Sequence, residues 1–441
     1  MDLFLKSFCG TGKKCTFVYF KVSENQNDLP MNTDMEQLLH YTWKHKMFPM
    51  EALMTTDGKP VEVIDAGLHN YDQGPDFFNA KVKIDGELWA GNVEIHDKAS
   101  DWYLHGHDKD ELYDNVILHI VGKDDCDVRL KSGRYVMQME LQVPQKIQQN
   151  YKELLETERY PPCYKIIPDL TKLTIHSWLT TLQTERLEQK TLAIQERVKA
   201  SYGSWEAGCF ITLARNYGFG VNGDAFEEWA KTIRLEKVAH HRDDLFQIEA
   251  IFLGQAGLIE RIKDDNYREK LEREYQYMQR KFEFQPINPM RWKYLRMRPA
   301  NFPHVRILQL AKAYHEHRTD LSRLVECKSV RDVQQLLNTS DKHLSVSSLN
   351  LLIINTVVPI LFAYGKAMGK DALQDKAFTF LEELGAENNT ITRTWKECGL
   401  EVSTAGDSQA LIQLKKEYCD RKKCLYCRIG YAYLKGSNKR Q

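Results

Sequence analysis

The sequence carries no excess of either charge. Lys plus Arg and Asp plus Glu each number 61 in 441 residues. Overall charge therefore neither favours nor excludes nucleic acid as a partner, and only local patches bear on it. Long apolar runs are scarce as well. The least polar stretch, Leu349 to Gly365 (LNLLIINTVVPILFAYG), contains Asn355, Thr356 and Pro359. It is short for a membrane span and reads as a buried core helix. No long apolar segment follows Met1, which argues against a secretory signal. The 10 Cys then read as cytoplasmic thiols or metal ligands, not as a disulfide framework. A phosphate-binding loop is also missing, because GTGKKC (Gly10 to Cys15) lacks the spacing and the Ser or Thr after Lys. No internal repeat is evident.

What is present suffices for a folded core. A composition 42% hydrophobic and 28% charged excludes a disordered chain, and the length allows two or three domains. Residues 1–34 lack periodicity and read as a poorly structured extension or a mis-called start, since Met31 and Met35 offer later starts. Residues 35–150 read as a mixed α/β core. MEQLLHYTWKHK is a helix with Thr33 or Asp34 as cap, and PVEVIDAG, NAKVKI, LWAGNVEIH, NVILHIVG and RYVMQMELQV are strands. Asp85-Gly86 marks a two-residue hairpin turn between the second and third strands. SDWYLHGHDKDELYDN, between strands, can hold a helix. After ERYPPC (Glu158 to Cys163) the texture changes to long amphipathic patterns, such as Ile175 to Val198 and Asp264 to Phe282. Residues 165–441 read as a large, mainly α-helical domain.

The chemistry concentrates in the mixed region. GPDF (Gly74 to Phe77) enters one hairpin arm and VEIH (Val93 to His96) ends the other. An Asp and a Glu brought together at a sheet end make a hard-oxygen site suited to Mg²⁺ or Mn²⁺. A residue two positions after the Glu shares its strand face. A two-residue turn, however, pairs Phe77 with Glu94 and points Asp76 to the wrong side. A one-residue bulge between Asp76 and Asn79 would re-aim it and would let Lys81 face the site too, although an exposed strand Lys is the default. His105 and His107 flank Gly106 and could bind phosphate, a second metal or water, or simply bond within a turn. His119 reads as a satisfied strand histidine, Ser100 and Asp101 as helix caps, and Trp102 and Tyr113 as packing residues.

Pro-Asp followed by Glu-x-basic on the next strand resembles the PD-(D/E)XK nuclease superfamily. The resemblance implies a restriction-endonuclease-like core in which Asp76 and Glu94 hold Mg²⁺ or Mn²⁺, the Ile95 carbonyl is a further ligand, and Glu36 on the first helix is an auxiliary acid. His96 stands where that superfamily usually has Lys; it would orient or deprotonate water. It further implies metal-dependent hydrolysis of DNA or RNA, with a non-catalytic nucleic-acid-binding or scaffold protein on a degenerate nuclease fold as the alternative. NYDQGPDFFNAKV, GNVEIHDKASDWYLHGHDKDELYDNVILHIV, RPANFPHVRI and YCDRKKCLYCRIG also resemble a bacterial family known as domain of unknown function 2851. That similarity would run from Met35 to the C-terminus and implies no activity.

A second constellation is Cys419-x4-Cys424-x2-Cys427. Its spacing suits zinc or an iron–sulfur cluster, and a fourth ligand must come from Cys163 or Cys398. Basic residues cluster in two places, Lys415 to Arg440 with interleaved Tyr, and Arg291, Lys293, Arg296, Arg298 and Arg306. Either could contact phosphates.

Overall fold

A computed structural model describes residues 7–8, 14–15, 32–49, 53–338 and 344–436. The readings placed on Gly10 to Lys13, on the Thr33 and Asp34 side chains and on Lys439 and Arg440 fall outside them. The chain divides into two compact units, Met1–Lys152 and Glu153–Gln441.

The first unit is an open mixed sheet with few helices. Apart from a short pair, β1 (Ser7–Phe8) and β2 (Lys14–Cys15), its strands are β3 (Val61–Asp65), β4 (Leu68–His69), β5 (Phe77–Ile84), β6 (Glu87–Lys98), β7 (Val116–Lys123) and β8 (Gln138–Glu140). They run in the order β3-β5-β6-β7-β8, with β4 also on β5. β5 and β6 form the expected hairpin, with Ile84 opposite Glu87. Asp85 and Gly86 both have positive φ, 52° and 81°, as a type I′ turn demands. β7 and β8 join in parallel. The last predicted strand is shorter than its sequence pattern, only Gln138–Glu140.

Helix α1 (Asn32–Lys44) packs on this sheet, burying Leu38, Leu39 and Trp43. The Trp43 indole N–H donates to the Ala66 carbonyl at 3.0 Å. The segment expected to hold one helix is broken into α2 (Asp101–Leu104) and two single 3-10 turns, His107–Lys109 and Glu111–Tyr113. Gly106, at φ 76°, makes the break, because the left-handed region there favours glycine. Ser100 occupies the N-cap position without capping. Its hydroxyl donates instead to Asp125 at 2.9 Å.

Trp102 is fully buried and anchors a small core with Tyr113, Val116, Val121 and Leu130. Its ring also meets those of His107 and His119, with centroids 5.4 and 5.1 Å away. Trp102→Ala should therefore destabilise this unit by about 3–5 kcal/mol. The effect would be read as faster hydrogen exchange of the most protected β6 and β7 amides; unchanged protection would refute it.

The second unit is helical. Its longest helix, Lys172–Ala200, starts where the Thr171 side chain accepts from the Thr174 amide. Val330–Leu337, Thr390–Glu397 and Ala405–Gln413 each begin with a capping box. The apolar run seen in the sequence lies in Val346–Met368, the one helix among the described residues long and apolar enough to cross a membrane. Its most apolar window is 67% buried inside the unit, and Leu352, Ile353, Val357 and Leu361 are fully enclosed in the core.

Candidate functional site

The hairpin contains the bulge that the sequence geometry requires. Phe77 pairs with Val93 rather than Glu94, and the register shifts between Phe77 and Ala80. Asn79, at φ 56°, takes up the extra residue. Gly67 makes room for it, since a Cβ there would come within 2.7 Å of the Phe78 carbonyl oxygen. The shift turns Asp76 onto β6, where two reciprocal hydrogen bonds close a clasp. The Asp76 amide donates to Glu94 Oε2 at 3.0 Å, and the Ile95 amide donates to Asp76 Oδ2 at 2.9 Å. Ile95 thus joins this clasp through its N–H. Lys81 is exposed on β5.

Glu94 leads to the histidines. Its Oε1 lies 3.2 Å from His107 Nε2 and 3.6 Å from His96 Nε2. His96 Nε2 is 3.1 Å from His105 Nδ1, and His96 Nδ1 is 2.8 Å from His119 Nε2. One ring nitrogen from each of His96, His105 and His107 falls within 4.8 Å of the others. Three nitrogens on one tetrahedral ion, each at ~2.1 Å, would stand about 3.4 Å apart. The set therefore fits a metal ion with small ring adjustments. Tyr113 stacks on His107 with centroids 3.8 Å apart, and His119 fixes His96 from behind, as outer-shell partners of metal ligands do.

One site residue escapes the sequence reading. His40 Nε2 lies 3.3 Å from Asp76 Oδ2. It follows Glu36 by four residues, so both share one face of α1, and that spacing was the available signal. Glu36 is half-buried, and its charge is felt at His40 and Glu94.

Burial sets the protonation of this cluster. It pushes the Glu94 carboxyl well above the usual carboxylate range, and the Asp76 charge adds to the rise. Glu36 is raised chiefly by burial as well, against the opposing charge of His40. His96 is driven down to about 2 by burial and then by the neighbouring His119, His107 and His105. It is therefore neutral, the state in which imidazole binds a metal. Burial also lowers His40, but its hydrogen bond to Asp76 and the charges of Asp76, Glu36 and Glu94 overcome this and leave it raised.

The family model described as protein of unknown function (DUF2851) matches residues 36–390. The chain belongs to this family. No curated protein and no solved structure matches it. The DUF2851 match includes every residue of the His and carboxylate cluster. It ends before Cys419, Cys424 and Cys427, so the similarity is shorter at the C-terminus than the sequence motifs imply.

Those cysteines lie in the helical unit of this DUF2851 chain. Cys419 ends the π-helical turn Leu414–Cys419, Cys424 starts the turn Cys424–Tyr426, and Cys427 caps the helix Arg428–Lys435. Cys163 precedes the turn Tyr164–Asp169, which packs against that last helix. Cys163, Cys424 and Cys427 are buried, and all are free thiols. Burial raises the pKa of each, with Cys424 at about 11. Cys163 feels the charges of Cys427, Cys419 and Cys424 in turn. Cys398 instead faces Arg159 and Glu397, so of the two fourth partners named from the sequence, Cys163 is the one beside the trio. The basic patches are partly neutralised. Arg421 pairs with Glu417, Lys415 with Asp420, and Arg291 with Glu228.

Proposed function

We propose that the N-terminal unit is a metal-dependent hydrolase of phosphodiester bonds in nucleic acid, built on a PD-(D/E)XK-like core. One observation carries the metal: ring nitrogens of His96, His105 and His107 gather within 4.8 Å, with a Glu94 oxygen beside them. Such a nitrogen-rich set favours Mn²⁺ or Zn²⁺ over Mg²⁺, which prefers oxygen ligands. The substrate class rests on the resemblance of Asp76, Glu94 and His96 to the nuclease motif.

Bound here, a divalent ion would lower the pKa of water and draw charge from a phosphoryl oxygen. The chain's own groups do the rest. Glu94 and the three imidazoles would hold the ion, which needs a position beyond these four to carry water. Asp76, held by the Ile95 amide, keeps His40 in place to accept or return a proton. Glu36 adds a second carboxyl on the same side. His119 holds the His96 ring so that Nε2 faces the site.

The competing reading is a nucleic-acid-binding or scaffold protein on a degenerate fold. It is favoured by His96, which replaces the usual Lys and has both ring nitrogens beside other imidazoles. Purified full chain with Mn²⁺, Zn²⁺ or Mg²⁺, offered single-stranded, duplex and branched DNA and RNA, separates the two. Cleavage that EDTA stops supports the hydrolase. Binding without cleavage in every metal supports the scaffold.

Cys163 and the three C-terminal cysteines, which feel one another's charges, have a separate proposed role. Cys163, Cys419, Cys424 and Cys427 would hold a structural iron–sulfur cluster or zinc ion, with no position left for water. Backbone N–H groups of Gly430 and Ile429 point to the Cys427 sulfur and favour its thiolate. Anaerobically purified protein should contain either iron with acid-labile sulfide and visible absorption, or about one zinc per chain. Cys163→Ser should lose it and Cys398→Ser should keep it. Wild-type protein free of both metals would end the proposal.

A further inference from the structure

The helical unit contains a pocket of about 390 Å³ whose wall includes Arg296, Arg298, Arg306, Asn301, Asn222 and Phe219, with no Asp or Glu in its lining. Its volume falls in the usual range for small-molecule sites. Arg306 is the unusual member. It is 6% exposed, yet its guanidinium reaches only neutral acceptors, Gln309 Oε1 at 2.9 Å and Asn301 Oδ1 at 2.6 Å. Its Nε has no partner. Two other sheltered arginines of this unit are neutralised, Arg197 by Glu227 and Arg242 by Asp320, whereas Arg186 bonds to the neutral Gln409. Among the described residues, no carboxylate pairs with Arg296, Arg298 or Arg306. Burying an unpaired cation is costly.

The backbone makes the charge more anomalous. Arg306 is in the first turn of the helix Pro303–His315, close to its positive end, where a cation is disfavoured and an anion is welcome. The opposite wall is fixed rather than loose. The buried Asn222 side chain donates to the Lys293 carbonyl at 2.9 Å and accepts from the Lys293 amide at 2.8 Å, which ties down the segment carrying the other two arginines. Within it Arg296 adopts φ 61°, a conformation that a bulky residue holds only where the surroundings impose it. The Phe219 ring lies 4.6 Å from the Arg306 guanidinium and gives the pocket an apolar wall.

We propose that this pocket binds the phosphate group of an organic phosphate, either a free nucleotide or the terminal phosphate of a nucleic acid strand. Arg306 and Asn301 form the floor, and Arg296 and Arg298 close over the anion from the exposed side. Three guanidinium forks match the several oxygens and double charge of a phosphate monoester better than a single carboxylate. The remaining volume beside Phe219 takes the organic part. The assignment does not depend on the metal site.

Calorimetry on the full chain tests it with inorganic phosphate, AMP, a 5′-phosphorylated trinucleotide and its unphosphorylated counterpart, and acetate and citrate. Phosphate should bind, and AMP or the phosphorylated trinucleotide should bind more tightly. The tighter of these two names the source. Arg306→Gln should weaken that binding by about 10–100-fold, the usual worth of a hydrogen bond to a charged group. Arg298→Gln, on an exposed residue that folding does not need, should weaken it in the same direction. The idea is overturned if no phosphate compound binds, if both variants bind as the wild type does, if carboxylates bind better than phosphates, or if the unphosphorylated trinucleotide binds equally well.

Discussion

His107→Ala should lower the affinity for Mn²⁺ or Zn²⁺ by more than about 100-fold, because even outer-shell partners of metal ligands are worth about 10–100-fold. His107 offers Nε2 beside Glu94 Oε1, and its ring is clamped between Trp102 and Tyr113. The pH dependence follows from Glu94. Its carboxyl is raised in the metal-free fold, first by burial and then by Asp76, yet it must ionise to hold a cation. Metal binding therefore releases a proton, and affinity should climb with pH by up to about tenfold per unit. The climb should level off above the raised pKa of Glu94. His96 adds nothing to that slope near neutrality, since it is already neutral. Glu94→Gln should flatten the profile. Equal metal affinities for wild type and His107→Ala, measured by competition with a chelating dye, would remove this site from consideration.

The second large effect concerns Asp76. Asp76→Asn should cut metal-dependent cleavage by at least about 100-fold, the lower range for losing a proton-transfer group. It should leave metal affinity much less changed. The amide oxygen can still accept from the Ile95 N–H, so the strand pairing survives. The largest of the influences that raise His40 disappears, while Glu36 and Glu94 remain. His40 would then give up its proton more readily, and residual activity would shift its acidic limb to lower pH. A variant that cleaves at the wild-type rate would take Asp76 out of the reaction.

Most of the sheet is legible because its signals are local. Alternating apolar residues in β5 and β6 and the Asp85-Gly86 turn need no tertiary information. The bulge is legible only indirectly: it follows from asking which face Asp76 must occupy. The α2 segment misleads because its helical pattern contains Gly106, and one left-handed residue redirects His105 and His107. His40 stays hidden because an i, i+4 Glu-His pair on an amphipathic helix looks like ordinary surface. Distance hides the remainder. Nothing in the spacing of Cys419, Cys424 and Cys427 chooses between Cys163 and Cys398, and the run of arginines around Arg306 reads as a solvated patch until one of them proves to be buried.

The clasp between Asp76 and β6 makes strand pairing and ligand assembly a single event. Slipping β5 by one residue against β6 would reverse every side chain of the strand, and no movement within the cluster could restore Asp76 to the Ile95 amide. Glu94 would lose its second anchor at the same moment. A mispaired molecule thus has no half-built version of the site to offer. If the proposed His site holds Mn²⁺, uptake of Mn²⁺ by a preparation would count the correctly paired chains, and the Asp76 and Ile95 amides, each held by a carboxylate rather than by a neighbouring strand, would report the same thing through their exchange.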